Sequence, residues 1–161
     1  MLLKVDPEFT VRPERILQRV SMKASNTSVR KALRSLKAAL TERGLLSEEV
    51  TSIELVLAET LNNIVEHAYD DTGEGMIEVK VSGEPGRLKF KVTDRGQAMP
   101  NGEPPLGVLA PINGEINDLP EGGFGWFLIR ELAHDLRYVR NGNSNVFSFC
   151  MNSATNHDTR P

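Results

Sequence analysis

The sequence predicts an α+β domain in two layers, with helices on one face of a mostly antiparallel sheet. Two stretches, 25–44 and 47–68, carry apolar residues at helical spacing. Two pairs of short alternating runs, 76–81 with 88–92 and 136–139 with 146–149, each flank a glycine-containing turn, as hairpins do. The order of elements is strand, two helices, two strands, long loop, helix, two strands, which segregates helices from sheet.

Taken in order, residues 1 to about 14 carry Pro7, Pro13 and mixed charge and read as a lead-in. Leu17, Val20 and Met22 mark a first, edge strand. Ser25-Asn26-Thr27-Ser28 offers N-cap side chains, and Val29, Leu33, Leu36 and Leu40 recur at helical spacing until Gly44 stops the helix. Ser47 is placed to cap the next helix, with Glu48 and Glu49 at its positive end. Its expected buried stripe is Ile53, Leu57, Leu61, Ile64 and Ala68. Residues 71–75 form a turn, and Glu84-Pro85-Gly86 joins the first hairpin. Residues 97–121 lose all periodicity around Pro100, Pro104, Pro105, Pro111, Asn113 and Asn117, and a loop of that length reads as a lid. Helix resumes from Gly125 to about Ala133, with His134 as a C-terminal capping candidate. The second hairpin turns at Asn141-Gly142-Asn143, and the polar residues 152–161 read as a disordered tail. The domain proper is thus expected over residues 15–151.

A chain of 161 residues suits one domain with a proper core. The net charge of −3 argues against direct nucleic-acid binding. Basic residues gather between Arg12 and Arg43, which fits a solvated helix face better than a docking face. The single cysteine, Cys150, excludes an internal disulfide and reads as a small core residue. No leader and no membrane-spanning run is visible, so a cytoplasmic location is expected.

Three separated segments carry the chemistry. Glu59 and Asn63 lie four apart on one helix, one turn from each other, beside the apolar stripe. The carboxylate suits a general base and the amide oxygen suits a hard cation such as magnesium. Asp94 ends a strand at Asp94-Arg95-Gly96-Gln97-Ala98, where a carboxylate can accept from an exocyclic amine such as that of adenine. Gly96 there permits close approach of the backbone to a flat ring. Gly122-Gly123-Phe124-Gly125-Trp126 opens a helix, where free backbone N–H groups can receive phosphates. Each segment alone also reads blandly, as a polar helix flank, a strand-end turn or a lid hinge. His67 reads as a pocket-edge residue, since no second His or Cys lies near it.

Placed together, the segments resemble the GHKL (Bergerat-fold) ATPase superfamily, and within it the anti-sigma-factor serine kinases of the RsbW type. The likeness covers residues 16–151. Glu59-x-x-x-Asn63, running into His67-Ala68-Tyr69, is similar to the family's N box. Asp94-x-Gly96 is similar to its G1 box, and residues 122–129 to its G2 box at the end of the ATP lid. The resemblance implies a Mg-ATP-binding serine/threonine kinase that regulates transcription by partner switching. It would sequester a sigma factor and phosphorylate a serine on a STAS-type antagonist. Family members are commonly homodimers. Glu59 would be the general base, Asn63 the magnesium ligand and Asp94 the adenine reader. Gly96, Ala98, Gly122, Gly123, Phe124 and Gly125 would complete the nucleotide site.

Two departures stand out. Ala98 replaces the second glycine of the G1 box, which should stiffen the lid hinge. From Gln97 to Ile129 there is no Lys or Arg, while Glu103, Glu115, Asp118 and Glu121 make the lid acidic. Phosphoryl transfer depends on neutralising developing charge, so a binding module that sequesters a partner without transfer is the competing reading. A third reading, the catalytic domain of a sensor histidine kinase, lacks a phospho-accepting histidine in the first helices.

Overall fold

The computed structural model describes residues 14–107 and 123–154. Strand β1 (Arg15–Lys23) is followed by helices α1 (Asn26–Glu42) and α2 (Ser47–Asn63). Helix α2 runs into a single π turn, Ile64–Ala68. Strands β2 (Met76–Glu84) and β3 (Arg87–Asp94) form the first hairpin, and a short 3₁₀ turn spans Pro100–Gly102. Helix α3 (Gly123–Leu132) leads into the second hairpin, β4 (His134–Asn141) and β5 (Ser144–Asn152). All neighbouring strands are antiparallel, in the order β1-β2-β3-β5-β4. The α+β sandwich expected from the sequence is the observed architecture.

Strand alternation decides which face is covered. Ile77, Val79 and Val81, then Leu88, Phe90 and Val92, then Phe147, Phe149 and Met151 all point to the helices and are buried. Phe90 and Phe149 stack with centroids 5.0 Å apart, and Trp126 of α3 meets Phe147 edge to face at 5.5 Å. Against them α1 buries Val29, Leu36 and Leu40, and α2 buries Ile53, Val56, Leu57 and Leu61. Cys150 is buried too, but by alternation it belongs to the opposite face and lies outside this core.

The helix ends follow local chemistry, with differences from the sequence expectation. Ser25 caps α1, accepting from the Ser28 N–H, and Gly44 leaves the helix at φ +85°. Ser47 is not the cap of α2. It is the first helical residue, and the Glu49 carboxylate reaches back to the Leu46 N–H at 2.9 Å instead. Ile64 and Ala68 do not extend the buried stripe. Val65, four residues after Leu61, takes the fully buried position, while Ile64 is half-buried against the core and, with Ala68, lines a cavity. His134 does not cap α3. It opens β4, with its ring bonded to Asp135 and Asn152. Helix α3 begins at Gly123, two residues before the expected start.

Strand β5 continues to Asn152, and the Ser153 and Ala154 N–H groups bond to Gly86 O and Glu49 Oε1, beyond the expected end of the domain at residue 151. Residues 1–13 of the lead-in, residues 108–122 of the lid and residues 155–161 of the tail lie outside the described residues. Among the described residues no helix is long and apolar enough to cross a membrane.

Candidate functional site

A cavity of about 550 Å³ opens between the end of α2, the lid root after β3 and the start of α3. From α2 and its π turn come Thr60, Asn63, Ile64, His67 and Ala68, which share one helical face. Asp94 enters from β3, Ala98 and Met99 from the lid root, Trp126 from α3, and Tyr138 and Asn145 from the last hairpin. The walls are mostly apolar with a few convergent polar groups, the pattern of a small-molecule site.

Asp94 is the most constrained of these groups. It ends β3 on the covered face and is 5% exposed. Its Oδ1 accepts from the Gly96 N–H and from the Asn145 amide, both at 2.8 Å. Oδ2 has no partner among the described residues, so one acceptor remains for an occupant. Burial pushes this carboxyl above the ordinary range, against the pull of the Asn145 and Gly96 hydrogen bonds and the Arg140 charge.

Asn63 faces it from α2. Its amide nitrogen is buried without a hydrogen-bond partner. Such an orphan costs about 1–3 kcal/mol unless something in the cavity satisfies it. A phosphate oxygen would accept from that nitrogen. Turned over, the same amide presents its oxygen to a hard cation. The donor set therefore fits a magnesium-bound phosphate chain.

Glu59 is brought to the same region but not to the cavity wall. It is half-buried, and its carboxylate lies against Gly125 in the first turn of α3, where a β-carbon would collide with Oε2. The positive end of α3 favours a carboxylate there. Gly123 also lies in this first turn. Phe124 is 55% exposed and pairs with Phe127 rather than lining the cavity. Gly122 lies outside the described residues.

Gly96 is held against backbone on its own side of the cavity. A β-carbon there would lie 2.5 Å from the Ala68 carbonyl oxygen, and Gln97 N–H donates to that oxygen at 2.8 Å. The lid root is thus bolted to the end of the π turn. Ala98 lines the cavity without a positive φ, so alanine is at ease at this position.

Several functional positions were not evident from sequence. Tyr69 accepts from the Arg95 N–H at 2.8 Å and donates to Met76 O at 3.0 Å, tying the end of α2 to both flanks of the first hairpin. Buried Asn145, half-buried Tyr138 and exposed Arg140 form a polar cluster behind Asp94. Arg130 donates to the Pro104 and Pro105 carbonyls, each at 2.9 Å. Asn145 follows Asn143 and Ser144 out of the hairpin turn, so the local sequence does not set it apart.

Residues 22–151 match the family model described as the histidine kinase-like ATPase domain. Among similar proteins, a serine-protein kinase RsbW from Halalkalibacterium halodurans is 35% identical over 91 residues, 55% of this chain and 54% of that protein. Another from Bacillus velezensis is 25% identical over 114 residues, 70% of this chain and 71% of that protein. The aligned region thus spans about half of the first relative's length. A crystal structure of the RsbU and RsbW domains of Rv1364c from Mycobacterium tuberculosis superposes with TM-score 0.56 at 16% identity. It covers 88% of this chain and 33% of that one, and it shows a shared fold.

Proposed function

The chain belongs to the histidine kinase-like ATPase domain family, and from that premise we propose that it is an ATP-dependent serine/threonine kinase of the anti-sigma-factor type. One observation carries the reading. Among the described residues, a carboxylate with one open oxygen and a buried amide nitrogen with no partner belong to the lining of a single cavity.

In this reading Asp94 Oδ2 accepts the exocyclic amine of adenine, while Asn145 and Gly96 hold the carboxylate in place. Ala98 and the apolar walls flank the base. Asn63 holds magnesium, and the backbone of Gly122, Gly123, Phe124 and Gly125 receives the phosphates. Magnesium, when bound, neutralises charge on the phosphate oxygens. Glu59 takes the proton from the attacking serine hydroxyl as the new O–P bond forms and the bridging P–O bond to ADP breaks. Relatives named serine-protein kinase and anti-sigma F factor support transfer to a serine and sequestration of a sigma factor, and the family resemblance puts the acceptor serine on a STAS-type antagonist. The domain proper, expected over residues 15–151, carries residues 152–154 bonded to it and acts in the cytoplasm and as a homodimer.

A second reading has its own support. Arg130, the first cation after the acidic lid, is engaged by the Pro104 and Pro105 carbonyls. With no Lys or Arg between Gln97 and Ile129, this favours a module that binds nucleotide and sequesters its partner without transfer.

Calorimetry of ATP binding with and without magnesium, on the wild type and Asn63→Ala, tests the common premise. Magnesium-dependent binding weakened by Asn63→Ala supports it, and absence of binding under every condition defeats it. Glu59→Gln separates the two readings, because it should abolish transfer to the antagonist yet keep ATP binding.

A further inference from the structure

The polar cluster behind Asp94 is laid out by strand register. Asp94 of β3 and Arg140 of β4 both face Asn145 of β5, so the three stand in one row across adjacent strands. Asn145 is 3% exposed. Its NH2 group faces three acceptors, Asp94 Oδ1 at 2.8 Å, Gln97 O at 3.0 Å and Gly96 O at 3.2 Å. Its oxygen accepts from the Tyr138 hydroxyl and from Arg140 Nη1. An Asn side chain has two donor hydrogens and two acceptor lone pairs. All are engaged within the protein, so Asn145 has nothing left to offer a ligand directly.

The same cluster holds the lid root. Arg140 Nη1 donates to Gly96 O at 2.8 Å, and the Tyr138 hydroxyl accepts from the Met99 N–H at 2.9 Å. Asp94 and the segment 96–99 therefore hang from one bracket on the last hairpin. Residues 104–107 beyond this root lie against α3, bonded by Arg130 and packed on the Phe127 backbone, and in the first turn of α3 Gly123 and Gly125 are expected to meet the phosphates.

We propose that Asn145, with Tyr138 and Arg140, is a positioning residue that couples recognition of the base at Asp94 to placement of the lid root. The proposal rests on the reading of Asp94 as the adenine acceptor. Coupling of this kind is reciprocal. A base that draws Asp94 into one orientation fixes the Asn145 amide, which in turn fixes the carbonyls of Gly96 and Gln97 and, through Tyr138, the Met99 N–H. Binding of the phosphates at the first turn of α3 then depends on a hydroxyl that touches the base reader only through Asn145.

ATP and adenosine distinguish the two ends of this chain. Trp126 is the single tryptophan and lines the cavity, so its fluorescence reports occupancy. Asp94→Asn should weaken both ligands. Tyr138→Phe removes one hydroxyl and strands the Met99 N–H. It should weaken ATP about tenfold and adenosine less than about threefold, since a lost partner for a buried group is worth that much. Asn145→Ala should weaken both ligands, and in that background Tyr138→Phe should add less than it does alone. Equal losses for ATP and adenosine in Tyr138→Phe, no loss for either, or full additivity in the double variant would overturn the coupling while leaving the base reading intact. If Asp94→Asn changes neither ligand, the base reading fails and the coupling with it. Tyr138→Phe keeps its ring, so the ATP–adenosine split is readable even where Asn145→Ala does not fold.

Discussion

A β-carbon on Gly96 would sit 2.5 Å from the carbonyl oxygen of Ala68 and 2.7 Å from its carbonyl carbon. The obstacle is backbone at the end of a π turn, fixed from both sides by the Tyr69 and Asp71 N–H bonds to Ile64 and Val65. It has no flexible end to swing away. Gly96→Ala should therefore cost about 1–3 kcal/mol, the usual range for overpacking. It should also break the Gln97 N–H bond to Ala68. Urea unfolding checks this, through a lower midpoint at unchanged slope. A wild-type midpoint would mean that the lid root floats free of α2.

Gly125 meets a different neighbour, the far end of the Glu59 side chain. Alanine in a helix is favoured over glycine by about 1 kcal/mol, and the Glu59 carboxylate can move to make room. Gly125→Ala should leave stability equal or higher while displacing the group assigned as general base. Phosphoryl transfer to the antagonist should fall by about tenfold or more, a change of about 1.4 kcal/mol in the barrier. Transfer at the wild-type rate in a protein of equal stability would detach Glu59 from the chemistry.

The raised pKa of Asp94 sets a pH dependence. Burial lifts the carboxyl above its unfolded value, outweighing Asn145, Gly96 and Arg140. The sign follows directly. An acid with a raised folded pKa contributes stability below its unfolded pKa, and that contribution is lost as pH rises through the folded pKa. Ionised Asp94 is thus a cost to the free protein, so Asp94→Asn should stabilise it slightly at neutral pH. Nucleotide affinity runs the other way, because the carboxylate form makes the charge-assisted bond. ATP affinity should fall on acidification at a pH above about 3.9, the ordinary Asp value. The dependence should vanish in Asp94→Asn.

The sequence made the sandwich legible because its signals were local. Alternation at 76–81 and 88–92, turn residues at Pro85-Gly86 and Gly142-Asn143, and the cap at Ser25 each decide their own few residues. The N-box and G1 segments were legible for a related reason, since Asn63 and Asp94 stand out as polar residues at the edges of apolar runs. What escaped depends on distant pairing. Asn145 becomes the partner of Asp94 only through the β3–β5 register, fifty-one positions away. The role of Gly96 needed the position of Ala68, and the π turn that ends α2 has no periodic signature. Ser47 lost the cap to Glu49, whose longer side chain reaches the Leu46 N–H. The reach of Glu59 to α3 required both helices to be in place.

Arg130 tests whether the acidic lid has a hidden cation. Its guanidinium spans the consecutive carbonyls of Pro104 and Pro105, a two-pronged contact that lysine cannot reproduce. The residue is exposed, so its removal should change global stability by no more than about 0.5 kcal/mol. If Arg130 is a brace, Arg130→Lys should behave like Arg130→Ala, with ATP dissociation several-fold faster in both by stopped-flow Trp126 fluorescence. If lysine restores the wild-type rate, charge is what matters, and Arg130 becomes the positive group that the stretch from Gln97 to Ile129 lacks. That result would strengthen the kinase reading over sequestration alone, because it would put a cation near the site where negative charge develops.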